Sequence, residues 1–392
     1  MYYKIINWNE EFEPTETIKT TFVNQNGKRI IGNFLIYKAD QILNHLQTGF
    51  FLIEIELPTD DPELVVNHRG NHIQANKIII SKKWSLMEVK PYEMLTKIGI
   101  PVHTFHEKIL NWACTHGFLE IVCYLSKRKQ NLSINGDCPL RLAASHGHAE
   151  IVEFLIQKGA NPRADQDYAL IRASYHGHLN VVKLLIDHGA DVHSSGDCAL
   201  RSAAENGHLT IVILLIDQGA TVTAYDDYAL LWATRNNHLD TVDYLVSHGS
   251  KHLSQALEIA CQKNYAKLVF YLAHHTKPTE QSFRFVIKKE NLEILNCLIY
   301  HAHPDQLNST LIYASKIGFL PAVQTLLNAG ADVHFSNNLA LEHAIINKHY
   351  QLADYLIIKG ANTNCFIEKI LNSNEKKKIF DYHTHIISRL DN

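Results

Sequence analysis

The chain has 392 residues, of which 46% are hydrophobic and 20% are charged, and its formal net charge is −3. This composition is typical of globular proteins and excludes a chain that is disordered throughout. Lys and Arg are scattered among acidic residues, which argues against a nucleic-acid-binding face, and no run of about 18 apolar residues predicts a membrane-spanning helix.

The first 87 residues are predicted to form an N-terminal α+β segment that is separate from the rest of the chain. Strand-like stretches lie at 34–37, 50–57 and 78–80, and turn residues separate them at 58–62 and 69–71. The first ten residues have no basic region followed by an apolar core, so no signal peptide is predicted there. Residues 88–103 then predict one helix, with Tyr92 and Leu95 on its apolar side and a turn at Gly99.

The middle of the chain repeats itself with a period of 30 residues. Residues 140–148 recur at 170–178, 200–208 and 230–238, and each copy has Leu, Ala and a Gly or Asn at matching positions. Weaker copies place the residue equivalent to Gly147 at Gly117, Asn264, Glu290, Gly318 and Lys348. The sequence therefore predicts nine repeat units.

Each unit is predicted to contain two helices, and the first is called the inner helix here. Leu140 and Ala143 lie on one face of this helix, which ends at Gly147 because glycine accepts a left-handed cap without steric cost. An acidic residue precedes several inner helices and is predicted to be the N-cap. These residues are Asp137, Asp167, Asp197 and Asp227.

The second helix of each unit is called the outer helix. Ile151, Val152 and Leu155 have the spacing of one helical face, and the helix ends at Gly159. A single helix pair cannot bury both of its apolar faces, so the units are expected to stack on one another. After the array, residues 365–392 are predicted to form a C-terminal capping helix.

Residues 147–161, with the sequence GHAEIVEFLIQKGAN, closely resemble the ankyrin consensus, and the resemblance extends over residues 88–364. The period of 30 and the Asp-Tyr-Ala-Leu opening at Asp167 and Asp227 are similar to ankyrin proteins of giant amoeba viruses of the Mimivirus type. The family's Thr-Pro-Leu-His box survives only as Pro139-Leu140, and each unit is three residues shorter than the usual 33. The resemblance implies an all-α solenoid of about nine helix pairs preceded by a small strand-containing segment.

In ankyrin arrays, the residue two positions after the inner-helix Leu faces the concave groove, where partners bind. By this resemblance the candidate groove residues are Trp112, Leu142, Arg172, Ser202, Trp232, Ile259, Phe285 and Tyr313, joined at the turn end of the helices by Tyr175, Glu205 and Arg235. Trp, Tyr and Arg dominate binding hot spots, which favours a protein interface. The alternative is that these side chains fill the gaps between shortened repeats.

No catalytic, cofactor or metal site is predicted. The sequence has no phosphate-binding loop, no nucleophile elbow and no zinc-protease motif. Many of the 25 histidines occupy equivalent turn positions, where an imidazole can bond the neighbouring unit's backbone, and zinc would need about four ligands at one point. The seven cysteines are odd in number and form no Cys-x-x-Cys pair, which predicts free thiols in an intracellular compartment.

The main hypothesis is a non-enzymatic scaffold that binds a partner protein through the array. If the viral resemblance holds, the partner is a host protein, and the chain works as a monomer in the cytoplasm of an infected cell, without nucleic acid or membrane as partners. The alternative is an adaptor that links a target on the repeats to a second complex, such as a ubiquitin ligase, through residues 1–87.

Overall fold

A computed structural model describes residues 2–6, 17–19, 21–23, 29–31, 34–38, 41–62, 64–69, 72–128 and 131–362. The chain forms two compact units, Met1–Ser195 and Gly196–Asn392, which are described separately. The predicted capping helix at 365–392 lies outside the described residues. The division at residue 87 stays a prediction.

The first unit begins with an antiparallel sheet. Its strands are β1 (Tyr2–Ile6), β2 (Thr17–Lys19), β5 (Phe34–Lys38), β6 (Phe51–Glu56), β7 (Val66–Arg69), β8 (His72–Ala75) and β9 (Lys77–Ser85), and β3 (Thr21–Val23) pairs with β4 (Arg29–Ile31) in a separate ribbon. The order across the seven-stranded sheet is β2-β9-β6-β1-β5-β8-β7. The three strands predicted from the sequence are confirmed as β5, β6 and part of β9.

One face of the sheet is covered by an isoleucine-rich core that includes Ile36, Ile53 and Ile55. A 3₁₀ helix, Ile42–Thr48, contacts both β1 and the first inner helix of the array, so it connects the sheet to the repeats. The predicted single helix is confirmed as α1 (Lys90–Lys97), in which Tyr92 and Leu95 are buried.

Nine helix pairs follow in the described part of the chain, as the sequence predicted. The first unit contains the pairs α2 (His106–His116) and α3 (Leu119–Lys127), α4 (Cys138–Ser145) and α5 (Ala149–Gln157), α6 (Ala164–His176) and α7 (Leu179–Asp187). In the second unit the first three pairs are α8 (Ser194–Glu205) and α9 (Leu209–Asp217), α10 (Ala224–Arg235) and α11 (Leu239–Ser247), α12 (Leu253–Lys263) and α13 (Ala266–Ala273). The last three pairs are α14 (Glu280–Lys289) and α15 (Leu292–Tyr300), α16 (Pro304–Ile317) and α17 (Leu320–Asn328), α18 (Phe335–Ile346) and α19 (Tyr350–Ile358).

The repeated histidines connect neighbouring repeats, as predicted. His148 Nε2 donates to Thr115 O at 3.0 Å, and His178 Nε2 donates to Ser145 O at the same distance. In the second unit, His238 and His349 make the equivalent bonds. Each imidazole therefore pairs with a carbonyl near the end of the preceding inner helix, where carbonyls lack helical partners.

Asp137 occupies the N-cap position of α4 without a side-chain capping bond, and Asp167 and Asp227 lie inside α6 and α10. The prediction that these three side chains cap the helices is therefore wrong. The side chain of Asp167 makes no capping bond to α6, and its Oδ1 instead accepts the backbone N–H of Asp191 at 2.9 Å. Asp137, Asp197, Asp227, Asn308 and Asn338 each accept the N–H that lies 24 residues further along the chain. Asp167 is only 2% exposed, so this bond lies in the interior, where an unpaired N–H is costly. These bonds are called the Asp/Asn ladder below.

A left-handed turn takes the place of a hairpin between repeats. Three consecutive residues at 165–167 have φ of 56°, 56° and 59°, and the turns at 225–227 and 336–338 are similar. Non-glycine residues lose roughly 1–2 kcal/mol each in this conformation, although Asp and Asn tolerate it better than most. The third residue of the turn supplies the Asp/Asn ladder, so the ladder bond offsets part of that loss.

Replacing Gly147 with Ala tests the contact between repeats. Gly147 has φ of +79°, and an added methyl group would lie 2.6 Å from Nδ1 of His178. Gly159→Ala is the matched control because it has φ of +96° but no atom within 4 Å of the new methyl group. Both changes should cost about 1 kcal/mol from backbone strain. Gly147→Ala should lose a further ~1–3 kcal/mol through the clash, measured by urea unfolding. Equal losses would show that the imidazole is not held in place.

Candidate functional site

The candidate groove residues all lie on inner helices, but the structure separates them into exposed and buried groups. Tyr175 and Arg235 are exposed, and the half-buried ones are Leu142, Arg172, Glu205, Trp232, Phe285 and Tyr313. Three are buried: Trp112 is 6% exposed, and Ser202 and Ile259 are each 9% exposed. These three side chains offer little surface to a partner, and their place in a binding groove stays a prediction.

Trp112 is covered by the N-terminal segment. Its ring lies 5.9 Å from that of Phe50, which precedes β6, and 4.9 Å from that of Phe118. His116 stands 5.1 Å from Trp112 and 5.0 Å edge-on to Phe50, which closes a four-ring cluster. Trp112 therefore fixes the sheet to the first repeat. The repeat pattern could not reveal this role because Phe50 lies 62 positions away and outside the repeats.

In the first unit, two arginines of the inner helices lie beside tyrosine rings. The guanidinium of Arg141 is 5.6 Å from the centre of the Tyr168 ring, and that of Arg172 is 5.2 Å from Tyr175. Arg172 Nη2 also stands 2.8 Å from His176 Nε2. These contacts place a guanidinium against the face of an aromatic ring, which limits the number of its side-chain rotamers.

The second unit carries a longer series of such contacts, called here the Trp232 stack. Arg201 lies 4.4 Å from the ring of Tyr225 and 5.1 Å from that of Tyr228. Tyr228 is 5.4 Å from Trp232, and Arg235 lies 4.9 Å from Trp232 on the next turn of the helix. Trp232 and Arg235 were predicted to lie in the groove, whereas Arg201, Tyr225 and Tyr228 lie outside the predicted groove positions.

Tyr225 shows how the left-handed turn contributes to the Trp232 stack. It occupies the first position of the turn at 225–227, and its ring lies against Gly196, where a side chain would have no room. Arg201 Nε donates to Gly196 O at 3.1 Å and so stays beside the ring. Tyr225 is nevertheless 65% exposed. The sequence feature that could have indicated this exposed ring is the aromatic residue Tyr225 in the turn between two repeats.

Basic residues collect at the C-terminal ends of the inner helices in the second unit. They are Arg235, Lys263, Lys288, Lys289 and Lys316, and all are exposed. No carboxylate of a described residue lies within ion-pair distance of them. The outer helices of the second unit have no basic residue in their last turn; these helices are α9, α11, α13, α15, α17 and α19. The helix dipole favours cations at the end of either kind of helix, so it does not explain this difference.

The described residues show no arrangement suited to metal binding, and two of the cysteines are buried. No three His, Cys, Asp or Glu residues among them converge on a point where a metal ion could be held. Burial raises the pKa of the Cys114 thiol far above its usual range and raises the pKa of Cys261 to about 12, so both thiols stay protonated at neutral pH. No helix in the described part is both long enough and apolar enough to span a bilayer.

Comparison with known proteins identifies the repeats. A family model described as ankyrin repeats, in three copies, matches residues 86–166, 161–226 and 283–367. An ankyrin repeat protein of Acanthamoeba polyphaga mimivirus is 30% identical over 140 residues, which are 33% of this chain and 69% of that protein. Two more ankyrin repeat proteins of the same virus are 26% identical over 102 residues and 32% identical over 106 residues. The 26% identical match covers 24% of this chain and 33% of that relative. The 32% identical match covers 25% of this chain and 38% of that relative.

Replacing each of the two tryptophans with Ala should have different effects on stability. Trp112→Ala removes the centre of a buried ring cluster and should lower the free energy of unfolding of the first unit by about 3–5 kcal/mol. Trp232→Ala affects a half-buried ring and should lower that of the second unit by no more than about 1–2 kcal/mol. Thermal unfolding of the two variants measures the difference. A larger loss for Trp232→Ala would mean that Trp232 fills a gap between repeats.

Proposed function

Because the chain belongs to the ankyrin-repeat family, whose arrays present extended binding surfaces, we propose that it is a scaffold that binds a partner protein through its inner helices. The observation that carries the proposal is the Trp232 stack. Its aromatic and guanidinium groups are of the kinds that dominate binding hot spots, and ring contacts hold them before any partner arrives. Less side-chain freedom is then lost on binding.

The partner surface is proposed to be acidic. Arg235 and the lysines at the ends of α12, α14 and α16 are exposed cations without a carboxylate nearby in the described residues. An acidic segment lying along these helix ends would be attracted to all of them, and guanidinium groups such as that of Arg235 bind carboxylates in a bidentate manner. The four lysines would act mainly on the rate of association, whereas Arg235 also belongs to the Trp232 stack.

The similarity to mimivirus proteins supports a partner from the host cell. We propose that the chain meets this partner in the cytoplasm of an infected amoeba. The ankyrin-repeat family is typically non-catalytic, which fits a role in binding alone.

Partner capture with matched variants tests the proposal. Tagged wild-type chain, Trp232→Ala, Arg235→Ala and the control Tyr244→Ala are each incubated with Acanthamoeba lysate, and the retained proteins are quantified by mass spectrometry. Tyr244 is a suitable control because it is a half-buried aromatic that stacks on His248 at 3.9 Å, but it belongs to outer helix α11.

A specific partner should be retained by the wild-type chain and by Tyr244→Ala, but lost with Trp232→Ala and Arg235→Ala. For the purified partner, Trp232→Ala should weaken binding about 30-fold, as expected for a hot-spot residue. Raising the salt concentration should slow association if the partner surface is acidic. Full retention by both inner-helix variants would remove the Trp232 stack from the interface.

A further inference from the structure

A cavity of about 380 Å³ lies in the first unit between the 3₁₀ helix Ile42–Thr48 and α2. Leu43 and Leu46 of the 3₁₀ helix and Trp112 of α2 form its apolar lining, and all three are buried. This volume falls within the range of small-ligand sites, roughly 300–1,000 Å³. The N-terminal segment and the first repeat each supply part of the wall, so neither forms the cavity alone.

The polar lining carries a positive charge and no negative one. No acidic residue lines the cavity. Its polar groups come from residues that include Lys108, Asn44, Gln47, Asn111 and Thr115. Lys108 Nζ donates to Asn44 Oδ1 at 2.5 Å, which holds the ammonium group at the edge of the cavity. Among the described residues, no carboxylate lies within ion-pair distance of Lys108. A carboxylate ligand would complement this charge.

Asn111 supplies a second, independent indication of a ligand. Its Oδ1 is buried and has no hydrogen-bond partner in the described structure. An unpaired buried acceptor is unfavourable, so a partner that donates an N–H is expected. Asn111 also lines the cavity, so this unpaired acceptor belongs to a residue of the site.

We propose that this cavity binds an acidic residue of a peptide segment. The side-chain carboxylate would pair with Lys108, the peptide N–H would donate to Asn111 Oδ1, and the methylene groups would lie against Trp112. One acidic residue within a peptide offers both the carboxylate and the N–H, whereas a free dicarboxylic acid offers only the carboxylate. The N-terminal segment is then part of the recognition surface.

The peptide would reach the cavity along the inner helices of the first unit. Thr115, which lines the cavity, is bonded through its carbonyl to His148 of the next repeat at 3.0 Å, so the cavity adjoins the following helix pair. We assign this peptide to a partner protein on the basis of the proposed function. The chemistry of the cavity does not depend on the Trp232 stack, so each can fail without the other.

Small probes test the cavity in the full chain. The indole N–H signal of Trp112 is followed by NMR on ¹⁵N-labelled protein and is assigned by its absence in Trp112→Phe. The probes are N-acetyl-glutamate N-methylamide, its neutral glutamine counterpart and glutarate. The variants are Lys108→Met and the control Lys183→Met, which removes an exposed cation from outer helix α7.

The glutamate probe should shift the Trp112 signal saturably and bind at least about tenfold more tightly than the glutamine probe, because a charge-assisted hydrogen bond is lost with glutamine. Lys108→Met should abolish this preference, and Lys183→Met should retain it. Glutarate should bind more weakly than the glutamate probe.

Three results would each overturn the proposal: equal binding of the glutamate and glutamine probes, a glutamate preference that persists in Lys108→Met, or tighter binding of glutarate. If the probes behave as expected but Trp232→Ala retains every captured protein, the cavity stands and the proposed role of the Trp232 stack fails.

Discussion

The Asp/Asn ladder is the interaction on which the repeats depend. Six Asp or Asn oxygens each accept a backbone N–H 24 residues further along the chain, which fixes one inner helix to the connection before the next. It also stabilises a left-handed turn that would otherwise be unfavourable for residues such as Asp165 and Gln166. With this turn in place, a unit of 30 residues can stack without the usual hairpin. The bonds of His148, His178, His238 and His349 then hold the opposite end of the preceding inner helix.

The surface chemistry follows from this arrangement. In the second unit, the left-handed turn presents Tyr225 to solvent while its ring covers Gly196, and Arg201 lies against that ring. The inner helices of this unit thus carry ordered cation–aromatic contacts, and their C-terminal ends carry cations with no carboxylate within ion-pair distance among the described residues. In the first unit, Phe50 packs against Trp112, and the 3₁₀ helix Ile42–Thr48 lines a cavity with α2.

The sequence predicted what depends on local, repeated patterns. Helix pairs, their glycine ends and the histidine contacts recur at fixed spacing, and the structure confirms each of them. The role of Asp167 could not be read in this way, because an Asp before a helix predicts an N-cap whether or not a distant N–H competes for its carboxylate. Trp112 occupied the expected groove position, but its burial depends on Phe50, whose position is set by the sheet. The exposed part of the candidate surface stays a prediction until a partner is known.

Urea unfolding of the full chain with two substitutions of Asp167 tests whether the Asp/Asn ladder holds the repeats together. Asp167→Asn keeps an oxygen that can accept the Asp191 N–H, as Asn338 does for Asn362, and should stay within about 1 kcal/mol of the wild type. Asp167→Ala leaves that N–H without its acceptor and should lose about 1–3 kcal/mol more than Asp167→Asn. Equal losses for the two variants, or an Asp167→Ala chain as stable as the wild type, would contradict the claim that the Asp/Asn ladder holds the repeats together.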